Sequence, residues 1–261
     1  MNFEIPFVPE RPSKPRNEGI AMIMDKGLSL RESENLVASS GHLIDYIKLG
    51  FGTSAVTPDV KEKIKLFQDN DIIPYLGGTL FEAFVVRDLR DEYKKVMDQL
   101  GLTALEISDG SIVVDHDEKL NWIEEYAKDF TVLSEVGSKQ EGIIIAPNKW
   151  INMMDTELNA GSTMVIAEAR ESGNVGIYRP NGNAHVALVN KIVSNIPPEK
   201  IMWEAPKKSQ QAWFIQELGA NVNLGNIAPD QVIALETLRL GLRGDTFFQF
   251  LPEQMKESSN I

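Results

Sequence analysis

A strand-like run followed by an amphipathic stretch recurs eight times within 261 residues, and this predicts a single (β/α)8 barrel, the TIM-barrel class of α/β fold. Two further observations point the same way. The runs IAMIMD, DYIKLG, ALEIS, TVLSEVG, MVIAEAR and IMWEAP each carry one mostly aliphatic face and a polar end. Those ends are Asp25, Lys48, Glu106, Glu135, Glu168 with Arg170, and Glu204, drawn from both halves of the chain. In this class the C-terminal ends of the strands form the functional face, so the charges are expected to converge there as an active site. No GxGxxG follows the first strand, so a dinucleotide fold has little support. A doubly wound open sheet shares the periodicity and is the runner-up. One domain is expected over 1–261, with 1–17 an extended N-terminal segment and 247–261 a C-terminal tail.

Strands are predicted at 19–25, 43–49, 72–76, 104–108, 131–136, 164–169, 201–205 and 220–224. Helix punctuation fills the gaps. In TPDVKEKIKLF, Thr57 reads as N-cap and Pro58 as the first helical residue, with Val60, Ile64 and Phe67 on one face. DEKLNWIEEYAKDF begins at Asp117 and aligns Leu120, Ile123 and Ala127. KSQQAWFIQELG stops at Gly219. PDQVIALETLRLG starts at Pro229 and buries Val232, Leu235 and Leu238. The longest connection, 171–183, is rich in glycine and asparagine and is expected at the functional face.

Composition narrows the function. No apolar run approaches the ~20 residues of a membrane span, and the N-terminus lacks the pattern of a signal peptide. The absence of cysteine excludes disulfides, thiolate metal sites and thiol nucleophiles. A cytoplasmic protein is expected. The net charge of −12 argues against nucleic acid as a partner and repels anionic ligands at long range. Any anionic substrate has to be held by locally placed lysines, arginines or a metal.

The strand-end charges carry the chemistry. A lone buried carboxylate costs several kcal/mol, so Glu106, Glu135, Glu168 and Glu204 need a shared counter-charge. Converging carboxylates suit Mg²⁺, a hard cation; the plainer alternative is ion pairing with Lys48, Lys139, Arg170 and Lys208. In GGTLFE, Gly77 and Gly78 let backbone amides approach an anion at the start of a helix, or simply make a tight turn. GFGTS, residues 50–54, has the same two readings. SEVGSK sets Lys139 four residues beyond Glu135, as phosphate ligand, proton donor or solvated loop residue. Arg170 shares a face with Glu168 and suits bidentate contact with an anion or an internal ion pair. Lys207 and Lys208 stand at a strand-to-helix junction that favours anions, or in a solvated turn. NVNLGNI is read with Asn221 and Asn223 inward and Asn226 at the mouth. Arg243 and Asp245 are expected at the opposite end, pairing with Arg16. His42, His116 and His185 have no metal-ligand spacing.

The stretches KPRNEGIAMIMDKG, DYIKLGFGTS, GGTLFE, EISDGSI, SEVGSK, AGSTMVIAEARESGNVGIY, EAPKKSQQAWFI, GANVNLGNI and LRLGLRGDT run in order from Lys14 to Thr246. As a set they resemble the phosphosulfolactate synthase family. The resemblance implies a TIM barrel and a Mg²⁺-dependent carbon–sulfur lyase that adds sulfite to phosphoenolpyruvate, giving (2R)-2-phospho-3-sulfolactate, a step of sulfonate formation such as coenzyme M biosynthesis. On that resemblance Lys139 is expected to protonate C2, and Glu106, Glu135 and Glu168 to hold Mg²⁺ with Glu204 in reserve. Lys48, Arg170 and Lys208 are expected to clamp the anions, with Gly77, Gly78 and Asn223 also binding substrate. The expected partners are small anions, phosphoenolpyruvate and sulfite, without nucleic acid or membrane, and relatives suggest a homo-oligomer. Plant heat-stress-associated barrels share the resemblance, which leaves two alternatives: a non-catalytic stress-related barrel, or a related enolisation or addition on phosphoenolpyruvate.

Overall fold

A computed structural model describes residues 2–137, 145–169 and 172–258. Eight strands, β1 (Ala21–Asp25), β2 (Tyr46–Leu49), β3 (Ile73–Leu76), β4 (Ala104–Ile107), β5 (Thr131–Val136), β6 (Met164–Ala167), β7 (Ile201–Glu204) and β8 (Leu224–Ile227), close into one parallel barrel. Pairing of β8 with β1 completes the ring and rules out the open sheet. Around it run α1 (Leu30–Ser40), α2 (Val60–Gln68), α3 (Gly78–Val85), α4 (Arg90–Leu100), α5 (His116–Tyr126), α6 (Pro147–Asn159), α7 (Val186–Val193), α8 (Lys208–Leu218) and α9 (Val232–Arg239). A last helix, α10 (Glu253–Ser258), follows in the C-terminal tail. Among the described residues no helix is long and apolar enough to cross a membrane.

Local sequence explains most boundaries. Ser29 and Glu32 cap α1 reciprocally, the Glu32 carboxylate accepting from the Ser29 amide at 2.8 Å. The expected start of the second helix moves by two residues. Asp59, at φ +57, precedes Val60, while the Thr57 hydroxyl donates to the Thr53 carbonyl at 2.8 Å instead of capping. Asp115 caps α5, one residue earlier than the reading from Asp117 requires. Gly219 ends α8 as expected, and α9 buries Val232, Leu235 and Leu238.

The eighth strand differs most from its predicted position, starting at Leu224 rather than 220. Before it, the backbone carbonyls of Ala220 and Val222 accept from the buried guanidinium of Arg239 at 2.6 and 2.7 Å, not from a neighbouring strand. Ala21 and Ile23 of β1 face Leu224 and Ile227, so β8 carries one extra residue, a bulge. Gly225 lies inside it because a Cβ there would stand 2.8 Å from the Met22 Cε and 3.1 Å from the Met202 Sδ.

Alternation sets what the barrel interior holds. Met22, Tyr46, Tyr75, Ala104, Leu133, Met164, Ile166 and Met202 fill its lower part, with the Tyr46 and Tyr75 rings edge-on at 6.3 Å. Outward residues pack under the helices, where Trp122 and Trp150 are buried core residues. The N-terminal end is closed by structural charges. Arg239 also reaches the Ile20 carbonyl at 3.1 Å, Arg11 pairs with Glu236 at 2.9 Å, and Arg16 pairs with Asp45 at 2.8 Å. Arg16 therefore does not meet Asp245.

Candidate active site

The next inward positions above the methionine layer are Lys48 on β2, Glu106 on β4, Glu135 on β5 and Glu204 on β7. They meet at the C-terminal mouth. The Lys48 Nζ lies 2.9 Å from Glu106 Oε2, 3.1 Å from Glu204 Oε1 and 3.8 Å from Glu135 Oε2, with every one of these side chains no more than 4% exposed. Burial works against the charge on Lys48, but Glu106, Glu204, Tyr75 and Glu135 overcome it and hold the ammonium above the ordinary lysine range. Glu204 is pushed upward as well, to about 7, first by burial and then by Glu135 and Glu106, with Lys48 and the Ala169 amide opposing. The cluster thus holds more carboxylate than Lys48 alone can neutralise.

Each of two carboxylates is fully engaged. Glu106 accepts from the Gly78 amide at 2.7 Å with Oε1 and meets Lys48 with Oε2. Glu204 accepts from the Ala169 amide at 2.7 Å with Oε2 and meets Lys48 with Oε1. Glu106 therefore occupies the favourable electrostatic position at the N-terminus of α3. Gly78 has to be glycine here: a Cβ would stand 2.8 Å from Glu106 Oε1 and collide with the Ser108 side chain, whose hydroxyl donates to Glu82. Glu135 is fixed through its backbone, since the buried Lys119 donates to its carbonyl at 2.6 Å while pairing with Asp109 and Glu157. Glu168 follows β6 and lies against Gly137, where a Cβ would be 2.9 Å from Glu168 Oε2.

Lys48, Glu106, Glu135 and Glu204 floor a cavity of about 540 Å³ at the mouth, whose lining does not include Glu168. Met24 and Phe51 line one side, Gly77, Gly78 and Thr79 another, and Ala169, Ser172 and Asn226 complete the rim. Asn226 reaches it because the bulge holds the residue at φ +56.

Several expectations change. Asp25 does not join the mouth; it pairs outward with Lys63 of α2 at 2.7 Å, and Met24 takes the inward position. Asn223 binds no mouth ligand. It sits at the N-terminal end of β8, accepting from the Ile20 amide at 3.0 Å. Lys208 points to the outer wall, where it pairs with Asp245 at 2.9 Å, and it does not line the cavity. Lys48 is bound by carboxylates rather than standing ready as a simple anion clamp. Lys139 and Arg170 lie outside the described residues.

The proposed metal ligands need the same scrutiny. Among the described residues no three acidic or histidine side chains are grouped to share one ion, so Glu106, Glu135 and Glu168 do not form a three-carboxylate cage. Lys48 stands where such an ion would have to meet Glu106. Mg²⁺ commonly takes only one or two carboxylates, with water and substrate oxygens completing its shell. Glu135 and Glu168 have the oxygen chemistry for that pattern. Sequence reading did not name Met24, Phe51, Thr79 or Ser172 individually, although GFGTS holds Phe51, GGTLFE holds Thr79 and the 171–183 connection holds Ser172; Met24 carried no signal.

Comparison with known proteins bears on this site. Residues 9–245 match the family model for (2R)-phospho-3-sulfolactate synthase (ComA). A phosphosulfolactate synthase of Methanothermobacter thermautotrophicus is 43% identical over 92% of this chain and 95% of its own length. That of Bacillus subtilis is 40% identical over 92% of this chain and 97% of its own. The crystal structure of 3-hexulose-6-phosphate synthase from Salmonella typhimurium superposes with a TM-score of 0.55 at 12% identity, covering 86% of this chain and 100% of that one, a likeness of fold alone.

Proposed function

The chain belongs to the (2R)-phospho-3-sulfolactate synthase family, and from that membership we propose that it adds sulfite to C3 of phosphoenolpyruvate to give (2R)-2-phospho-3-sulfolactate. The sulfur lone pair of sulfite forms the new bond to C3. The C2–C3 π pair moves toward the carboxylate, and an aci-carboxylate dianion develops. A proton then goes to C2, and the phosphate ester is kept throughout.

The observation that carries this reading is the Lys48 ammonium, kept charged among Glu106, Glu135 and Glu204 on the floor of the mouth cavity. A fixed charge in a cavity poor in water stabilises a developing oxyanion far better than one in bulk solvent. Glu106 and Glu204 order that ammonium while anchored to the Gly78 and Ala169 amides. Glu135 and Glu168 would hold a magnesium ion, which when bound supplies divalent charge against the substrate's oxygens. Lys139, in the SEVGSK stretch, is the proposed acid for C2. Arg170, in EARESG, is the proposed partner of the substrate's phosphate or carboxylate. With a net charge of −12, local cations of this kind are required to retain an anionic substrate.

A coupled assay for phosphoenolpyruvate tests the reading. Consumption should require sulfite and Mg²⁺ together; equal consumption without sulfite would refute the reaction.

A further inference from the structure

Among the described residues, Phe51 is the apolar side chain of the mouth that packing does not explain. It lines the cavity yet is 42% exposed, and among the described residues it stacks on no other ring. Its backbone is at φ +58, in the left-handed region. Among the described residues the other non-glycine positions held there are Asp59, Asp71, Asp88, Asn226 and Phe7. Asp and Asn adopt that conformation readily through local hydrogen bonding, whereas a bulky aromatic residue does so at a cost.

The loop is built to hold this conformation. Gly50 donates to the Asp25 carbonyl at 2.8 Å, and a Cβ on it would stand 2.5 Å from the Met24 Sδ. The Thr53 hydroxyl and amide both bond the Gly50 carbonyl, at 2.8 and 3.1 Å. On the other side Gly52 faces Leu80 of α3. Phe51 is thereby set on the rim between β1 and α3, beside the floor of buried charges around Lys48. Strain retained at a cavity rim, on a side chain that gains little from burial, points to a role in the cavity.

Resting on the function proposed above, we propose that Phe51 is the solvent shield of the mouth: its ring covers the bound phosphate- and carboxylate-bearing substrate, keeps water from the Lys48 cluster, and so strengthens the electrostatics that act on the developing dianion. Excluding water raises the strength of every charge interaction inside a site. It also makes those interactions less sensitive to salt. Phe51 acts on the substrate's surroundings and transfers no proton.

Phe51→Asn removes the ring and keeps a residue suited to φ +58; Phe51→Tyr keeps the ring. We would measure kcat/KM with sulfite, and the Kd of phosphoenolpyruvate by calorimetry, between about 0.05 M and about 0.5 M salt. Phe51→Asn should lower kcat/KM about tenfold or more and steepen the salt dependence of both quantities. Its Tm should stay within about 4 °C of the parent, and Phe51→Tyr should keep kcat/KM within about threefold. If Phe51→Asn does not fold, Phe51→Ala is read in the same way. An unchanged kcat/KM and salt slope in the ring-less variant overturns the proposal, as does an equal loss in Phe51→Tyr. A parent protein that binds phosphoenolpyruvate but ignores sulfite would refute the reaction, and the Phe51 contrast would still be read in Kd. A parent that binds no phosphoenolpyruvate overturns both.

Discussion

Lys48 and Glu204 are 156 residues apart in sequence and 3.1 Å apart inside the barrel mouth. Both side chains are buried on the cavity floor, and Lys48 shares its ammonium with Glu106 as well. Removing one partner of such a cluster leaves the others buried and uncompensated. Lys48→Met is therefore expected to destabilise the fold by about 3–5 kcal/mol. Adding Glu106→Gln to it should restore part of that loss. Urea unfolding of the two single variants and the double variant measures the coupling; additive losses would mean that the two side chains do not act as a pair.

Glu204 makes stability depend on pH. Its carboxyl titrates at about 7 in the folded chain, against an ordinary value of 4.5. Between those values the folded state keeps a proton that the unfolded state has released, so stability falls as pH rises through this window. Glu204→Gln removes that contribution and should flatten the fall in urea midpoint between about pH 5 and about pH 8. An unchanged slope in the variant would contradict the assignment.

Metal dependence should separate two glutamates that look alike in sequence. Glu135→Gln is expected to raise the Mg²⁺ concentration for half-maximal rate by about 10- to 100-fold. Glu106→Gln should leave that concentration within about threefold of the parent, because both Glu106 oxygens already serve Lys48 and Gly78. Its kcat should fall instead. A shift in Glu106→Gln as large as in Glu135→Gln would restore Glu106 as a ligand.

Lys139→Ala tests the proposed acid. Loss of a positioned proton donor should lower kcat by about 10²- to 10⁴-fold with little change in Tm. Loss of a phosphate contact alone would raise KM and preserve kcat. A variant with the parent's kcat excludes Lys139 as the acid.

Much of the fold and part of the site were legible in the sequence. Glu106, Glu135 and Glu204 could be read because strand alternation and strand ends are both visible in one dimension. The partners of Lys48 could not, since they come from β4, β5 and β7 and meet it only when the barrel closes. Asp25 was misread by one step of alternation, which turns a side chain to the opposite face. Asn223 falls at the N-terminal end because β8 starts at Leu224 rather than 220, the carbonyls of Ala220 and Val222 being taken by Arg239 from a helix later in the chain. Lys208 stands at the helix start that the sequence indicates, but its partner Asp245 is 37 residues away.

The fate of C3 tests the central claim most directly. The protein would be incubated with Mg²⁺, sulfite and phosphoenolpyruvate labelled with ¹³C at C3, and that carbon followed by NMR. The account predicts that the vinylic signal is replaced by that of a methylene carbon bonded to sulfonate, with one sulfite consumed per phosphoenolpyruvate and the phosphate ester retained. A vinylic signal that persists with sulfite present, or that decays equally without it, would contradict the account.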